Sequence, residues 1–311
     1  MAKNKNKTKK AMSHEMVQMA NAKVSELLSK QNFKSIEEAN EFLSKNINGK
    51  RIDDIFFNKK GIKTNVEKSE DLIYEAYEST PAKGLKLAKE ALKLDPENIR
   101  AINYLADIEN RPEEAIKLYK QSMEMGEKKL GKKYFQENKG DFWGLHETRP
   151  YMTAKNKYAD CLKVIGKIEE AIKEYKELLE LNPNDNQGIR YILSGILLRN
   201  KKYDDYFRLY KAYDDERSTF WLFNYALYLF ITKGATADSF KALQDANKSN
   251  KHIIQFMTRQ KEMPKKLPEY YSPGDENEAF CYILDNVYTW IEHPKTADWI
   301  NDFKEKQNRL N

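Results

Sequence analysis

The stretch that decides the fold is EEAIKEYKELLELNPND, residues 169–185, because nearly the same phrase, EEAIKLYK, begins at Glu113. Recurrence of one amphipathic helix start indicates a chain built from repeated helix pairs. The second copy arrives about 22 residues later than a repeat of about 34 residues would bring it. We therefore expect an insert between two neighbouring repeats, at residues 126–149.

The best-formed repeat spans residues 152–185. Small side chains stand where two antiparallel helices approach closely, larger ones fill the space toward the next repeat, a glycine lies in the turn, and a proline ends the second helix. These positions are Ala159, Leu162, Gly166, Ala171, Tyr175 and Pro183. The pattern resembles the tetratricopeptide repeat, which implies an all-α fold of stacked helix pairs, an α-solenoid.

The same rhythm divides the rest of the chain. The insert contains five large apolar residues: Tyr134, Phe135, Phe142, Trp143 and Leu145. It is therefore expected to fold back on the repeats, because exposed apolar surface is unfavourable. The expected segments are a disordered basic tail (1–11), an N-terminal helical extension and linker (12–68), first repeats (69–125), the insert (126–149), further repeats (150–250) and a C-terminal helical cap (251–311).

Composition favours a soluble, helical chain. Charged residues make up 33% of the sequence, and five lysines in the first ten residues account for most of the net charge of +6. Cys161 and Cys281 are isolated in the sequence, which argues against a disulfide framework. No apolar run is long enough for a membrane span. A cytoplasmic location is therefore expected.

Three phrases carry a resemblance to a known family: FWGLHETRPYM at 142–152, LNPNDNQGIRYIL at 181–193 and YYSPGDENEA at 270–279. They resemble the suppressor-of-tumorigenicity-7 family, and most closely the bacterial tetratricopeptide proteins grouped with it. The resemblance covers about residues 70–300. It implies a helical-repeat fold and no enzymatic activity. The resemblance also implies that eukaryotic members of the family are anchored in a membrane near their N-terminus. This chain departs from that pattern, because its N-terminal part contains no apolar run long enough to span a membrane.

The first candidate partner site follows the insert. The stretch ETRPYM contains Arg149, whose planar guanidinium can bind a carboxylate or a phosphate through two parallel hydrogen bonds. The favoured alternative is that Arg149 pins the insert through a salt bridge to Glu147 or to a helix end. Trp143 and Tyr151 are the other candidate partner-binding residues here.

The second candidate site is NPNDNQGIR, residues 182–190. Asp185 or Asn186 suits the cap of the next helix, because short polar side chains bond to nearby backbone amides. Asn184, Gln187 and Arg190 exceed what a cap requires. Asn156, Gln187 and Arg190 lie near the start of two first helices and could bind a peptide backbone or terminal carboxylate in a groove lined by those helices. A groove and a cap both fit this pattern.

Aromatic residues begin a later first helix, at Phe220, Trp221 and Phe223. They favour an apolar groove over the carboxylate clamp of chaperone-binding repeats, and ordinary packing between repeats is the alternative. Trp221 is the candidate partner-binding residue of this group.

The C-terminal stretch PGDENEAFCYILDNVYTWI predicts a helix that caps the repeats. Asp275 and Glu278 have the spacing of a capping box. An apolar stripe is expected to cover the open end of the array, where the last repeat would otherwise face water. Its residues are Phe280, Ile283, Leu284, Val287 and Ile291.

The sequence shows no established motif for catalysis or metal binding. The four histidines are not spaced as ligand pairs, and neither a glycine-rich phosphate loop nor GxSxG occurs. A hydrolase or metal enzyme that uses His146 and Glu147 is the remaining enzymatic hypothesis. We expect no enzymatic activity, no metal and no cofactor.

Helical repeats offer a large curved surface with few special residues, which suits binding. The preferred interpretation is a non-enzymatic intracellular scaffold or adaptor that binds a protein or peptide on the concave face of the repeats. The alternative is a nucleic-acid-associated regulator whose lysine-rich tail grips phosphates. The nearly neutral remainder of the chain argues against nucleic acid as a partner.

Overall fold

A computed structural model describes residues 12–48 and 63–310. The described residues form helices and turns, so the prediction of an all-α helical-repeat fold is confirmed. The basic tail at 1–11 and part of the predicted linker lie outside the described residues. The chain separates into two compact units, residues 1–184 and 185–311.

The first unit consists of successive helices joined by short turns. They are α1 (His14–Ser29), α2 (Ile36–Asn46), α3 (Asn65–Glu78), α4 (Pro81–Leu94), α5 (Ile99–Asp107), α6 (Pro112–Glu137), α7 (Arg149–Val164) and α8 (Ile168–Leu181). Three helix pairs form, α3 with α4, α5 with α6, and α7 with α8, and the first helices α3, α5 and α7 also contact one another in series. We call the surface formed by these first helices the inner face of the unit.

The residues predicted to shape the repeat at 152–185 are placed as expected. Ala159 and Ala171 are fully buried between α7 and α8, where their small side chains let the two helices approach. Gly166 has a positive φ of 81° in the turn between the helices, a conformation that favours glycine. Tyr175 is also buried and donates a hydrogen bond from its hydroxyl to Asp160 Oδ1 at 2.6 Å. The helix pair is therefore confirmed at this repeat.

Close approach in the first unit depends on a glycine as well. A Cβ atom added to Gly84 on α4 would lie 1.7 Å from the Tyr104 hydroxyl of α5 and 2.9 Å from the Ala76 carbonyl of α3. Both distances are shorter than van der Waals contact. Because Gly84 has no side chain, α4 can pack closely against both α3 of its own helix pair and α5 of the next pair.

The second unit contains two helix pairs followed by three further helices. They are α9 (Ile189–Arg199), α10 (Tyr203–Ala212), α11 (Thr219–Lys233), α12 (Ala237–Ser249), α13 (His252–Met257), α14 (Glu276–Ile291) and α15 (Lys295–Leu310). The pairs are α9 with α10 and α11 with α12, and the first helices α9 and α11 contact each other.

Aromatic rings fill the space between α10 and α11. Tyr206 occupies a position where this repeat type usually has alanine. Its side chain is fully buried, and its ring centroid lies 4.9 Å from that of Tyr228. Tyr210 and Tyr225 stack with ring centroids 4.0 Å apart. A degenerate repeat thus replaces close backbone approach with stacked rings.

The predicted capping helix, α14, packs on α13 and also reaches the first helices α9 and α11. Its predicted apolar stripe is only partly correct. Phe280 and Ile283 are buried, whereas Leu284 and Ile291 are exposed. The helix buries Tyr282, Asn286 and Trp290 as well. The Tyr282 hydroxyl is buried because it bonds Asn224 of the first helix α11 and receives a bond from Trp290 Nε1.

Candidate functional site

The insert begins inside a helix. α6 runs through its first part and changes direction at Gly131, where φ is 79° and ψ is 154°. The remaining insert residues form turns that lead into α7. A positive φ is tolerated by glycine and strained for other residues. Gly131 therefore directs the end of α6, residues 132–137, away from the line of the preceding helix.

Aromatic packing holds the insert against the first unit, as predicted. Phe142 is fully buried, and its ring lies 4.8 Å from Phe135 and 6.3 Å from Tyr151. The Phe142 amide donates a hydrogen bond to the Leu181 carbonyl at 3.1 Å, at the end of α8. The insert is thus anchored at both α7 and α8.

Arg149 pins the insert, although not through the predicted salt bridge. Its Nε donates to the Trp143 carbonyl at 3.0 Å, and its guanidinium lies 5.5 Å from the Trp143 ring centre. Trp143 also stacks on His14 of α1 at 6.3 Å. Arg149 Nε and the Trp143 ring are therefore both engaged by contacts within their own unit.

A cleft of about 890 Å³ lies between the end of α6, the start of α7 and the end of α8. We call it the insert cleft. Its apolar floor includes Phe135, Tyr151 and Leu181, and its rim carries both charge signs, with Lys132 and Glu177 among the rim residues. Apolar floors with a polar rim are typical of protein-binding surfaces.

Tyr151 forms the deep end of the insert cleft. The residue is only 2% exposed, and its hydroxyl donates to Glu127 at 3.3 Å. Burial raises the pKa of the Tyr151 phenol, with the nearby Glu127 carboxylate adding to the shift. The phenol therefore stays neutral and acts as a hydrogen-bond donor at physiological pH.

A second pocket, of about 380 Å³, lies on the inner face beside α1. Its lining includes Ala22 of α1, Glu70 of α3 and Arg100 of α5. The Arg100 guanidinium is buried and bonds Glu15 of α1 at 3.0 Å, with Glu70 at 3.6 Å. This buried cation between two carboxylates is a charge cluster that the sequence reasoning missed. A single arginine inside the apolar stretch IRAINYL was the available signal.

Glu70 makes the stability of the first unit dependent on pH. Desolvation raises the pKa of the Glu70 carboxyl, and the Arg100 charge opposes that shift. Because the pKa of Glu70 is higher in the folded state than in the unfolded chain, the protonated carboxyl favours folding at low pH. This contribution to stability is lost as pH rises through the folded-state pKa of Glu70. Glu70→Gln should therefore become more stable relative to wild type as pH rises from about 4 to about 7.

The measurement is the free energy of unfolding in urea at several pH values. Glu75→Gln, on the exposed side of the same helix, is the matched control for replacing a carboxylate of α3 with an amide. A difference between Glu70→Gln and wild type that stays constant with pH would contradict the assignment.

The other candidate residues of the first unit are separated from the insert. Asn156 lies on α7, with a buried side-chain oxygen that accepts no hydrogen bond from the protein. Asn184 is exposed in the turn after α8. Of the predicted site residues in this unit, Trp143 and Arg149 contact each other, whereas Tyr151 lines the insert cleft. Partner binding by any of them remains a prediction.

In the second unit, the polar stretch at 185–190 forms a cap, as one of the two interpretations expected. The Asp185 carboxylate accepts hydrogen bonds from the amides of Ile189 at 2.7 Å and Arg190 at 2.9 Å. Arg190 Nη2 also bonds Glu216 at 2.6 Å. Bonds from Tyr191 and Arg190 lower the pKa of Glu216 to about 2, against the opposing effect of burial. Glu216 therefore stays ionised and keeps its pair with Arg190.

The remaining two candidate residues of the second unit differ in exposure. Gln187 lies half-buried in the turn before α9. Trp221 is fully buried, and its ring lies 5.9 Å from Tyr210. The packing of Trp221 agrees with the alternative of ordinary contacts between repeats, and leaves its side chain no exposed surface.

His146 and Glu147, the groups of the enzymatic hypothesis, both line the pocket of about 380 Å³. Desolvation lowers the pKa of the His146 imidazole. Glu147 accepts a hydrogen bond from the Tyr134 hydroxyl at 2.9 Å. Within residues 12–48 and 63–310, no group of three or more potential metal ligands comes together.

The membrane prediction is answered by helix length and hydropathy. In the described part of the chain, no helix has both the length and the apolar character that a bilayer crossing requires. A scan against protein-family models and a search of curated proteins each returned no match for the sequence. The resemblance to the suppressor-of-tumorigenicity-7 family therefore stays a prediction.

Proposed function

We propose that this protein is a non-enzymatic intracellular scaffold of tetratricopeptide type that binds a segment of another protein. The observation that supports the proposal is the insert cleft. The insert, residues 126–149, separates two neighbouring repeats and is folded. Its residues contribute to a concave surface whose floor includes aromatic side chains. Inserts in repeat arrays commonly lie on the binding face.

The volume and lining of the insert cleft fit one or two apolar side chains of a peptide. A space of about 890 Å³ is within the range of sites that bury most of a bound group. Charges of both signs at the rim can meet the polar backbone and flanking residues of a peptide without favouring one net charge. The ion pair between Lys139 and Glu180, at 2.8 Å, is exposed at this rim, so it costs little to open.

Gln136→Trp tests this role, because Gln136 lines the insert cleft and a tryptophan there would fill its opening. The neighbouring Glu137 is exposed and does not line the cleft, so Glu137→Trp is the matched control. A partner protein is first recovered from native extract with wild type and with Glu137→Trp. We expect this partner to bind Gln136→Trp about tenfold more weakly than it binds wild type or the control. Affinity is measured by titration of the purified partner.

Equal binding by both variants would remove the insert cleft from the proposal. Recovery of nucleic acid with no protein would favour the alternative of a nucleic-acid-associated regulator, which depends on the lysine-rich tail. Melting temperatures of both variants should match wild type, because residues 136 and 137 are exposed.

A further inference from the structure

In each unit a helix from outside the helix pairs packs against first helices, α1 in the first unit and α14 in the second, and these two helices are held very differently. In the second unit, α14 buries residues along its whole length, from Glu278 to Trp290. In the first unit, α1 contacts α3, and its buried residues are confined to the segment from Glu15 to Ala20. The remaining turns of α1 contribute no buried residue.

Polar groups under the two helices show the same contrast. Glu278 of α14 accepts hydrogen bonds from Thr219 and Asn250, both at 2.9 Å. Under α1, Glu15 Oε1 and Gln18 Oε1 are buried and accept no hydrogen bond from the protein. Buried polar atoms without partners oppose binding. The α1 contact is therefore imperfect where the α14 contact is well matched.

The contact of α1 is also incompletely filled. The pocket of about 380 Å³ lies between α1 and the inner face, and α1 presents the small residue Ala22 to it. Glu15, Met19 and Ala22 recur at the spacing of one helical face. A helix with a larger apolar residue at the third of these positions would fill space that α1 leaves open.

We propose that α1 is an exchangeable occupant of the inner face of the first unit. The partner that replaces it is an amphipathic helix of another protein. That helix carries a carboxylate for Arg100, an apolar residue four positions on, and a large apolar residue seven positions on. This inference rests on the proposed function in taking protein binding as the role, but it concerns a surface other than the insert cleft.

Arg100 provides the selectivity of this site. A buried ion pair gives little net affinity over a neutral alternative, whereas a buried charge left unpaired or opposed is strongly disfavoured. Helices with a basic residue in place of Glu15 should therefore be rejected, because that residue would oppose the buried Arg100 charge. Helix-in-groove recognition through anchors on one face is an established mode of peptide binding.

Attachment to the same chain lets α1 act as a competitor. A tethered segment acts at an effective concentration on the order of millimolar. A partner must therefore bind the inner face better than α1 does, or α1 must first be weakened. Competition by α1 thus sets a minimum affinity for the inner face, which only a better-fitting helix reaches.

The test uses a fluorescent peptide of residues 12–30, MSHEMVQMANAKVSELLSK, and the full-length chain. Two chain variants weaken the intramolecular α1 and leave the inner face intact: Met19→Asp and Glu15→Lys. Val17→Asp is the control, because Val17 is exposed on the same helix. We expect both weakening variants to bind the peptide about tenfold more tightly than wild type and Val17→Asp do.

Changes in the peptide test the partner chemistry without altering the protein. The Ala22→Leu peptide should bind Met19→Asp about fivefold more tightly than the native peptide, through added apolar burial. The Glu15→Lys peptide should lose measurable binding, and a Val17→Gln peptide should bind like the native one. Gln136→Trp in the chain should leave all these affinities unchanged.

Three results would overturn the inference. The first is equal peptide affinity for the wild-type chain and both weakening variants. The second is undiminished binding of the Glu15→Lys peptide. The third is wild-type dimerisation that Met19→Asp abolishes, which would assign the inner face to α1 of a second copy. None of these results would affect the insert cleft, so the two proposals fail separately.

Discussion

Ala171→Arg will destabilise the first unit by about 4 kcal/mol or more. Ala171 is fully buried on α8 against α7. An arginine there must push two closely packed helices apart, and overpacking alone costs about 1–3 kcal/mol. The guanidinium would also lose hydration on burial, which adds to the penalty.

Urea denaturation followed by circular dichroism measures this effect. Ala82→Arg is the matched control, because Ala82 is an exposed alanine in the first turn of α4. The control should unfold at the wild-type midpoint. A wild-type midpoint for Ala171→Arg would mean that α8 does not present this face to α7.

Tyr282→Phe is expected to destabilise the second unit by about 2–4 kcal/mol, although it removes only one oxygen atom. The Tyr282 hydroxyl donates to Asn224 Oδ1 at 3.0 Å and accepts from Trp290 Nε1 at 2.8 Å. Asn224 in turn donates to Ser194 Oγ at 2.8 Å. Loss of the hydroxyl leaves a buried acceptor and a buried donor without partners.

The comparison is with Tyr288→Phe, since Tyr288 is 57% exposed on the same helix and should tolerate the change. Adding Asn224→Leu to Tyr282→Phe should recover part of the loss, because removing both partners costs less than removing one. Equal unfolding midpoints for Tyr282→Phe and Tyr288→Phe would show that the network contributes nothing.

Sequence reasoning succeeded where a local rule decides the outcome. The small residues of the 152–185 repeat, the glycine in its turn and the cap at Asp185 all follow from short-range sterics and hydrogen bonding. The aromatic residues of the insert also predicted that it would fold back. These features need no knowledge of distant neighbours.

The missed features depend on residues far apart in the sequence. An apolar period places Leu284 on one face of α14, but that helix is apolar on more than one side, and its buried face is chosen by Ser194 and Asn224 below it. The insert cleft needed the kink at Gly131. The Arg100 cluster needed α1, which is far from it in the sequence.

The buried network beneath α14 has a consequence for the order in which the chain matures. Residues 194 and 224 leave the ribosome well before residues 276–291, which supply their partners. Domains generally fold as units during synthesis, N-terminal part first. The second unit must therefore remain incomplete, with polar and apolar groups open to chaperones, until α14 emerges. A nascent chain interrupted before residue 276 would lack the Tyr282 hydroxyl that pairs with Asn224.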